Sequence, residues 1–586
     1  MMKKNRRLLA LILAVVMLSG LFAGCSGQKP QNSQPADSTG SEGEKEESSS
    51  GADAADYEWE FEADTSPFEF TVWWPGVWAW AKGGVEGGWD TDIDIYRYIT
   101  ERTGGRMNID MPSGTQDELA GAMIASGTYP DCVVFDGYNN TYINQMISGG
   151  LVYSWSSLID EYAPKMWELI PESMLAYHAD ENGELWKYVG FAYHKDWVDE
   201  SRAMGNYPSG GTAMFNVIFC REDTLEAFGK DDITDLDTFT EYLRFVRQNF
   251  PELDPVQLFD GDPRGTLFTH MRSTFGCHLS GTYPQSDGTI KFFMYDPAYV
   301  DYLSWLNGLY RDGVITDNQL TDDASAQNTK LYSASYGATL QATYTVYNTI
   351  NTTLSQNFGE DSGKLYTDVG PIQKEGVEWK TDYTRSKGSI STLITKNAAE
   401  PDRIIKFFEF LFTDEGQKVI MCGLENTAWW YNEDGTIAHE PERAAAAAAS
   451  LEGYVSTYRV TGNWAPWCNT SYWEGLLNPL ITPAGRAVEV NDKRLGTKFV
   501  TDPWEEGFAS LGDCIEAGSD LAVINTKVND SCRTAGMRMI TAKNDEEFRA
   551  IYDACIAEIE GLGVAQLEAA LTAEHQKQCQ SLGIEP

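Results

Sequence analysis

Short apolar segments that alternate with amphipathic segments constrain the fold of this chain more than any other feature. Phe68–Val72 alternates apolar and polar residues, as a strand does, and Cys132–Phe135 is continuously apolar, as in a strand buried on both faces. Between them, Asp92–Arg102 places apolar residues at helical spacing. The same succession returns at Ser389–Thr395 and Pro401–Phe412. Strands that alternate with helices predict an α/β fold with mainly parallel sheets.

Capping signals predict where several helices begin and end. Three pairs of residues have the spacing of a capping box: Thr115 with Glu118, Thr238 with Glu241, and Asn544 with Glu547. Each pair precedes a run of apolar residues at helical spacing, so each predicts the start of a helix. Gly561 is predicted to end the helix that begins near Asn544.

The first residues have the pattern of a targeting segment. Basic residues precede the apolar run Leu8–Leu18, which is too short to span a bilayer, and small residues precede Cys25. The stretch Leu21–Cys25 resembles the lipobox of bacterial lipoproteins. This resemblance implies that residues 1–24 are a lipoprotein signal peptide and that Cys25 is lipidated after cleavage. An ordinary secretory signal with an incidental cysteine is the alternative.

The segment that follows Cys25 has the composition of a tether. Ser26–Asp56 is rich in Ser, Gly, Glu and Asp and almost free of large apolar residues. Such a segment cannot bury enough surface to offset its ordering entropy. Residues 25–66 are therefore predicted to be the lipidated cysteine and a disordered acidic tether, and the folded body is predicted to begin near residue 67.

Charge excludes some partners. The formal net charge is -43, which opposes binding to nucleic acid and to anionic lipid surfaces, so the lipid on the cysteine would provide the membrane attachment. No G-x-S-x-G, H-E-x-x-H, P-loop or G-x-G-x-x-G motif occurs in the sequence. With 87 acidic residues, a pair of carboxylates does not by itself indicate catalysis.

The cysteines indicate buried thiols more than a metal site. There are 10 in the chain, so an odd number remains once Cys25 is set aside. No CxxC motif occurs and the spacings suit no zinc site, so we expect neither a metal nor a cofactor. Cys132 and Cys220 lie in strand-like segments and are predicted to be reduced and buried. Spacing alone assigns no disulfide.

Seven motifs occur in an order that resembles the extracellular solute-binding proteins of ABC importers, in the sugar-binding family. Glu118–Asp131, for example, resembles the family pattern L-x-x-x-I-A-S-G-x-Y-P-D. The other six segments are Tyr98–Gly104, Gly149–Val152, Asn182–Trp186, Phe215–Gly229, Leu309–Ile315 and Ala398–Gly416. The resemblance covers about residues 67–430, is poor beyond about 440, and is closest to the large lipoprotein members of Gram-positive bacteria.

This resemblance implies a two-lobed clamp of the periplasmic-binding-protein type (class II), with a hinge and an interlobe cleft. Lobe 1 would comprise residues 67–212 plus 388–422, and lobe 2 residues 213–387 plus 423–586. Ligand would bind at the carboxyl ends of strands and the lobes would close around it. The resemblance further implies a monomer, not an enzyme, on the extracellular face of the cell membrane, with ABC permease subunits as partners.

Candidate ligand-binding residues combine aromatic faces, which cover sugar rings, with amides, carboxylates and cations, which pair with hydroxyls. They follow predicted strands or lie in an aromatic-rich loop: Trp73, Trp74, Trp78, Phe135, Asp136, Tyr138, Asn139, Gln341, Tyr344, Arg385, Trp464 and Trp467. Core packing is the alternative for each tryptophan. Asp180, Asn182 and Glu184 resemble part of a calcium loop, but a plain β-turn is favoured there.

The predicted function is therefore delivery of a carbohydrate, an oligosaccharide, to an ABC transporter. Three alternatives stay open. The ligand could be an acidic sugar, which would need a cation such as Arg385 in the cleft, or another polar solute. A secreted carbohydrate-active enzyme would turn its ligand over. A structural surface protein would carry internal repeats, and the sequence has none.

Overall fold

The computed structural model describes residues 61–76, 79–192, 194, 218–230, 233–259, 261–278, 280–341, 346–369, 372–377, 387–432, 437–449, 451–460, 462–468, 480–481, 487–488, 507–516 and 518–586. All of them lie in one unit of the chain, Trp59–Pro586. The predicted signal peptide, the lipidated Cys25, the tether up to residue 60, and the candidate residues Trp78, Tyr344 and Arg385 lie outside the described residues. The predicted end of the tether at residue 66 is wrong, because Phe61 is buried in a hydrophobic core and its ring centroid lies 5.2 Å from that of Phe410.

Among the described residues, the strands are β1 (Phe68–Trp73), β2 (Gly105–Asp110), β3 (Cys132–Asp136), β4 (Tyr188–Gly190), β5 (Phe219–Arg221), β6 (Asp254–Val256), β7 (Tyr283–Pro284), β8 (Ile290–Lys291), β9 (Tyr336–Thr339), β10 (Tyr366–Asp368), β11 (Ile390–Ile394), β12 (Trp429–Tyr431), β13 (Ile437–His439), β14 (Leu480–Ile481) and β15 (Ala487–Val488).

The α-helices described are α1 (Ala79–Val85), α2 (Asp94–Thr103), α3 (Gln116–Ser126), α4 (Thr141–Ser148), α5 (Trp155–Tyr162), α6 (Glu172–His178), α7 (Glu222–Phe228), α8 (Leu236–Asn249), α9 (Thr266–Phe275), α10 (Pro297–Arg311), α11 (Asp317–Leu320), α12 (Ala324–Tyr332), α13 (Asn351–Phe358), α14 (Pro401–Phe412), α15 (Asp414–Cys422), α16 (Pro441–Ala449), α17 (Leu451–Tyr458), α18 (Asp520–Ile540), α19 (Asp545–Leu562) and α20 (Val564–Leu582). Each helix in the described part of the chain is too short or too polar to span a bilayer.

The first sheet has the strand order β2-β1-β3-β11-β4. Its strands β2, β1 and β3 are parallel, with Trp73 opposite both Asp110 and Val133. Strand β11 runs antiparallel to both of its neighbours, with Ile390 opposite Asp136 and Gly190. The prediction of mainly parallel sheets is therefore wrong, because the chain enters β11 at the edge where β3 ends.

The second sheet has the order β10-β5-β9-β6. Its pair β6 and β9 is parallel, whereas β5 runs antiparallel to β9 and to β10. Each sheet has its own large hydrophobic core. We call the first sheet with its core lobe 1 and the second sheet with its core lobe 2.

Aromatic residues of α14 fill the core of lobe 1. The periodic apolar face predicted over Pro401–Phe412 forms this helix with the predicted bounds. Phe407 and Phe408 meet the ring of Phe70 edge-on, with centroids 5.0 and 6.2 Å away. Edge-to-face pairs of this kind add to the stabilisation from burial.

The C-terminal part of the chain divides between the lobes. Trp429, Val455, Trp464 and Trp467 pack in the core of lobe 1, so the assignment of all of 423–586 to lobe 2 is wrong. The physical reason is aromatic packing. Trp467 lies against Phe408 of α14, with ring centroids 5.7 Å apart. Residues of α18, α19 and α20 pack instead in the core of lobe 2.

Two of the three predicted caps are confirmed. The side chain of Thr115 accepts a hydrogen bond from the backbone of Glu118, and Asn544 caps α19 in the same way. The third prediction is wrong, because Asp235 caps α8 and accepts from Thr238 N at 2.7 Å. The predicted stop at Gly561 is also wrong, since α19 continues to Leu562, and Gly563, with a φ of 96°, supplies the left-handed cap.

Candidate functional site

The carboxyl ends of three parallel strands meet at one edge of the first sheet. These ends are Trp73, Asp110 and Asp136. Because β11 is antiparallel, its first residues reach the same edge, where Gly137 N donates to Ser389 O. Ligands of open α/β sheets bind outside the carboxyl ends of strands. We call this side of the sheet the carboxyl edge of lobe 1.

Asp136 presents a carboxylate at the carboxyl edge. Its backbone is held by the side chain of Gln116, with Gln116 Nε2 donating to Asp136 O at 3.1 Å and Asp136 N donating to Gln116 Oε1 at 2.7 Å. The residue is exposed, yet its carboxylate packs closely on Gly76, where an added Cβ would lie 2.4 Å from Oδ2. The resulting desolvation raises the pKa of Asp136, against a smaller lowering effect of Trp74.

A second group of polar side chains, the edge cluster, consists of Tyr138, Tyr177, His178, Lys387, Asp513 and Glu574. The Tyr138 hydroxyl donates to Asp513 Oδ2 at 2.8 Å, and Lys387 Nζ lies 3.1 Å from the same oxygen. Lys387 Nζ also lies 4.0 Å from Glu574 Oε1. The rings of Tyr138 and Tyr177 lie 5.9 and 5.8 Å from this ammonium group, within cation–π range.

Burial sets the protonation of two members of the edge cluster, His178 and Tyr138. It lowers the pKa of His178 well below its ordinary value, an effect that the charge of Lys187 strengthens. The ring is therefore neutral at pH 7, and its Nε2 lies 2.8 Å from the carbonyl oxygen of Lys387. A carbonyl can only accept, so this nitrogen carries the proton. Burial, more than the charge of Asp513, raises the pKa of Tyr138, which keeps its proton.

Asp513 reaches the edge cluster from a segment that is attached to lobe 2. We call residues 507–514 the bridging segment. The ring of Phe508 lies between His278 and His575, with centroids 4.3 and 4.1 Å away. His575 Nδ1 lies 2.9 Å from Gly507 O, and Gln578 Nε2 donates to Ala509 O at 2.9 Å. Helix α20 therefore holds the bridging segment in place through these contacts.

Helix α20 is in turn held by the hairpin of β7 and β8. Glu568 accepts from Phe292 N at 3.1 Å and pairs with Lys291 at 2.7 Å. Thr572 accepts from Ile290 N at 2.9 Å. Because α20 also packs against α6 of lobe 1, the edge cluster lies where the two lobes and the C-terminal helices meet.

The corresponding edge of the second sheet carries amides. Gln257 follows β6, and its Oε1 accepts from Thr339 Oγ1 at 2.7 Å and from Gln341 Nε2 at 3.3 Å. Its Nε2 donates to Gln327 Oε1 at 3.3 Å. Gln341, which the sequence predicted, is half-buried and therefore belongs to an amide network centred on Gln257.

Five of the predicted residues are core residues. Trp74, Trp464 and Trp467 are at most 1% exposed, Phe135 is 0% exposed and Trp73 is 7% exposed. A ring without exposed surface cannot stack on a sugar in this conformation, so we correct their role from ligand contact to packing. Asp136 and Asn139 are exposed, and Tyr138 and Gln341 are half-buried.

Sequence reasoning missed most of the edge cluster. Lys387 had a usable signal, since it lies two residues after Arg385 and just before β11. Tyr177 and His178 close α6, whose position gave no indication of the edge. Asp513 and Glu574 lie in the region where the family motifs end, so nothing in the sequence places them beside Tyr138.

The plain turn favoured at Asp180 is present. Gly183 N donates to Asp180 O at 3.0 Å, and Asp180 Oδ1 accepts from the backbone of Asn182 and of Glu184 at 2.8 and 3.0 Å. These bonds lower the pKa of Asp180, as does the one from Trp186 Nε1, which is the largest cause. Within the described ranges, no group of three His, Cys, Asp or Glu side chains is placed to hold a metal.

No family model and no curated protein matches the sequence. Solved structures do match over nearly the whole of their length. An HMO-binding, ABC-transporter-associated solute-binding protein from Bifidobacterium longum infantis is 13% identical, with a TM-score of 0.59 over 88% of this chain and 99% of that one. The substrate-binding protein FusA of Streptococcus pneumoniae, in complex with kestose, is 13% identical, with a TM-score of 0.56 over 87% and 99%.

The alginate-binding protein AlgQ2 is also similar, at 16% identity and a TM-score of 0.54 over 87% of this chain and 98% of that one. At these identities the likeness shows the fold. The chain has the two-lobed α/β fold of the solute-binding proteins of ABC transporters, as the order of the sequence motifs predicted.

Proposed function

We propose that this protein is an extracellular, lipid-anchored solute-binding protein that delivers an oligosaccharide to an ABC importer. One observation carries the proposal: the two-lobed fold is shared over 87–88% of the chain with proteins described as binding HMO, kestose and alginate. In this scheme the protein works as a monomer, holds its ligand without chemical change, and passes it to the permease subunits.

The carboxyl edge of lobe 1 has the chemistry that a sugar needs. Asp136 supplies a carboxylate and Asn139 an exposed amide, and both can pair with hydroxyl groups. Tyr138 is half-buried next to them and offers part of its ring. We propose that these three residues, with Gln341 on the facing lobe, contact the ligand. Trp78, Tyr344 and Arg385 remain part of the proposed site.

The burial of Lys387 and its two neighbouring carboxylates favour a neutral sugar over an acidic one. This ammonium group is 8% exposed and already lies beside two carboxylates, those of Asp513 and Glu574. A uronate would have to compete with both of them. An acidic ligand therefore depends on Arg385 or another cation of the cleft, and it is the second candidate.

Calorimetry on residues 57–586 tests the proposal with a panel of neutral oligosaccharides and uronate oligosaccharides of matched length. We expect micromolar or tighter binding of a neutral member, compaction in X-ray scattering, and no cleavage products after long incubation. Cleavage would favour the carbohydrate-active enzyme, and preference for the uronate series would favour the acidic ligand. Asp136→Asn should weaken binding about tenfold or more, the loss of one charged hydrogen bond.

Asp180→Asn is the matched control for Asp136→Asn, because Asp180 is an exposed aspartate of the same lobe whose carboxylate bonds only within its own turn and to Trp186 Nε1. It should bind as the unaltered protein does. Equal loss in both variants would point to a general charge effect and would remove Asp136 from the site.

Anchoring is tested separately on the full chain. Cells fed a labelled fatty acid should label the unaltered protein but not Cys25→Ser, which should be released to the medium or stay unprocessed. Lack of label in the unaltered protein would show that the leader is an ordinary secretory signal.

A further inference from the structure

Two cysteines face each other in the C-terminal helical hairpin of α18 and α19. Cys532 lies on α18 and Cys555 on α19, and both are buried, with 1% and 3% of their surface exposed. Both are thiols in the structure. They belong to the core of lobe 2, far along the chain from every candidate ligand contact named above.

The register of the hairpin places the two thiols in one layer. Thr541 follows α18 and Asn544 caps α19, so the helices are antiparallel neighbours joined by a short turn. Val528 lies one turn before Cys532, and Ile559 one turn after Cys555; all four are buried in the same core. Residues one turn apart share a helix face, so the two cysteines stand opposite each other.

The two thiols act directly on one another. The Cys532 thiol donates toward Cys555, which lowers the pKa of Cys555 and raises that of Cys532. Cys132 and Cys220 differ: burial raises their pKa, that of Cys220 to about 12, and no second cysteine acts on either of them.

We propose that Cys532 and Cys555 form a disulfide bond that clamps α18 to α19. One of the two thiolates attacks an external organic disulfide and releases one thiol; the other then attacks the mixed disulfide and releases the second thiol. One bond forms between the two Sγ atoms, and two electrons and two protons pass to the external disulfide. Because both cysteines are buried in the finished fold, this exchange takes place while the C-terminal hairpin folds.

The clamp would act on the element that supports the edge cluster. Helix α20 follows α19 directly and carries Glu574, and α18 packs against both α19 and α20. A cross-link between neighbouring helices stabilises the fold mainly by restricting the unfolded chain. The proposal does not depend on which ligand the protein binds.

Peptide mapping of the full chain tests the disulfide. Protein unfolded in guanidinium without reductant is refolded in the presence of oxidised and reduced glutathione. It is then unfolded again with N-ethylmaleimide, digested, and analysed by mass spectrometry. We expect a linked pair of peptides that contain Cys532 and Cys555, while Cys132 and Cys220 carry the alkyl label. Alkyl label on both Cys532 and Cys555, or glutathione attached to either, would overturn the proposal.

Thermal unfolding gives a second readout. Adding dithiothreitol should lower the melting temperature of the oxidised protein by about 3 °C, because the entropic restraint on the unfolded chain is lost. The double variant Cys532→Ala and Cys555→Ala should show no such shift, whatever its own stability. A Cys220→Ala variant should keep the full shift. An equal shift in the double variant would overturn the clamp.

Discussion

Two aromatic features of lobe 1, a group of three tryptophans and the single Tyr138, differ in what surrounds them. Trp74, Trp464 and Trp467 are at most 1% exposed and pack on one another and on Phe408. Tyr138, which follows the end of β3, is half-buried and points its hydroxyl at the carboxylate of Asp513. The tryptophans form part of a hydrophobic core, whereas Tyr138 borders a polar cluster formed by segments that are distant in the chain.

The difference teaches that residue type and position along a strand do not decide exposure. Trp74 and Tyr138 each follow a strand of the same sheet. The ring of Trp74 is covered because the segment with Trp464 and Trp467 returns to it from the C-terminal part of the chain. Such long-range cover leaves no local signal in the sequence.

Among the substitutions proposed, Trp467→Ala in the buried group should lower the free energy of unfolding the most. The ring packs against Phe408 and Trp74, and its Nε1 donates to Thr392 Oγ1 at 3.1 Å. Truncation should lower the free energy of unfolding by about 3–5 kcal/mol, as for other buried tryptophans. Urea unfolding followed by circular dichroism measures this loss.

Trp430→Ala is the matched control for Trp467→Ala. It removes the same side chain from a site that is 37% exposed, so the free energy of unfolding should change by about 1 kcal/mol or less. A folded Trp467→Ala protein of unchanged stability that bound its ligand weakly would return this residue to the binding site.

The sequence was informative wherever the pattern is local. The apolar period predicted β1, β3, β11 and α14, and the caps at Thr115 and Asn544 follow from neighbouring residues. Burial and the free state of Cys132 and Cys220 are confirmed as well. The order of family motifs predicted the two-lobed fold, because motif order reflects the order of its elements.

The sequence was uninformative wherever distant segments meet. Strand direction in the mixed sheets depends on where the chain re-enters each lobe, which β11 illustrates. The edge cluster joins Tyr138 to Asp513, separated by 375 positions. A single sequence holds no record of such a contact, and a surplus of acidic residues hides the two carboxylates that matter.

Lowering the pH should reduce the free energy of unfolding of lobe 1, because His194 is buried there. The ring is 1% exposed and its Nδ1 lies 2.7 Å from Ser173 Oγ. Burial lowers the pKa of His194 from 6.5 to about 3. Below pH 6.5 the unfolded chain therefore binds a proton that the folded protein excludes, and stability falls as the pH falls toward 3.

At pH 5 this loss should reach about 2 kcal/mol, and His194→Gln should remove it. Urea unfolding of both proteins at pH 8, 6.5 and 5 gives the difference directly. Identical pH dependence of the two proteins would contradict the buried, neutral state of His194.

The ion pair of the edge cluster should be worth less than a buried tryptophan but more than a surface pair. Lys387 Nζ lies 3.1 Å from Asp513 Oδ2, and the two side chains are 8% and 30% exposed. A double-mutant cycle with Lys387→Met and Asp513→Asn should give a coupling energy of about 1.5 kcal/mol. The exposed pair of Arg549 and Asp553, at 3.0 Å, should give less than about 0.5 kcal/mol. Equal coupling in the two cycles would mean that the edge cluster is solvated.

Tyr138→Phe should have the smallest effect on stability. It also distinguishes a structural role of the Tyr138 hydroxyl from a role in ligand binding. It keeps the ring beside Lys387, at 5.9 Å, and removes only the hydroxyl that donates to Asp513. Because Asp513 keeps its contact with Lys387, the free energy of unfolding should fall by only about 1 kcal/mol.

Urea unfolding at pH 7 measures that loss, and titration with the bound oligosaccharide measures the affinity of the same variant. If the hydroxyl only links the bridging segment to lobe 1, the free energy of unfolding falls, but the affinity of the folded protein for the oligosaccharide changes little. If it also contacts the sugar, affinity falls about tenfold as well, because a hydrogen bond to the ligand is lost. Tyr431→Phe, whose ring is 46% exposed on β12, should change neither quantity, and a similar loss there would show that the assay does not distinguish the edge from the surface.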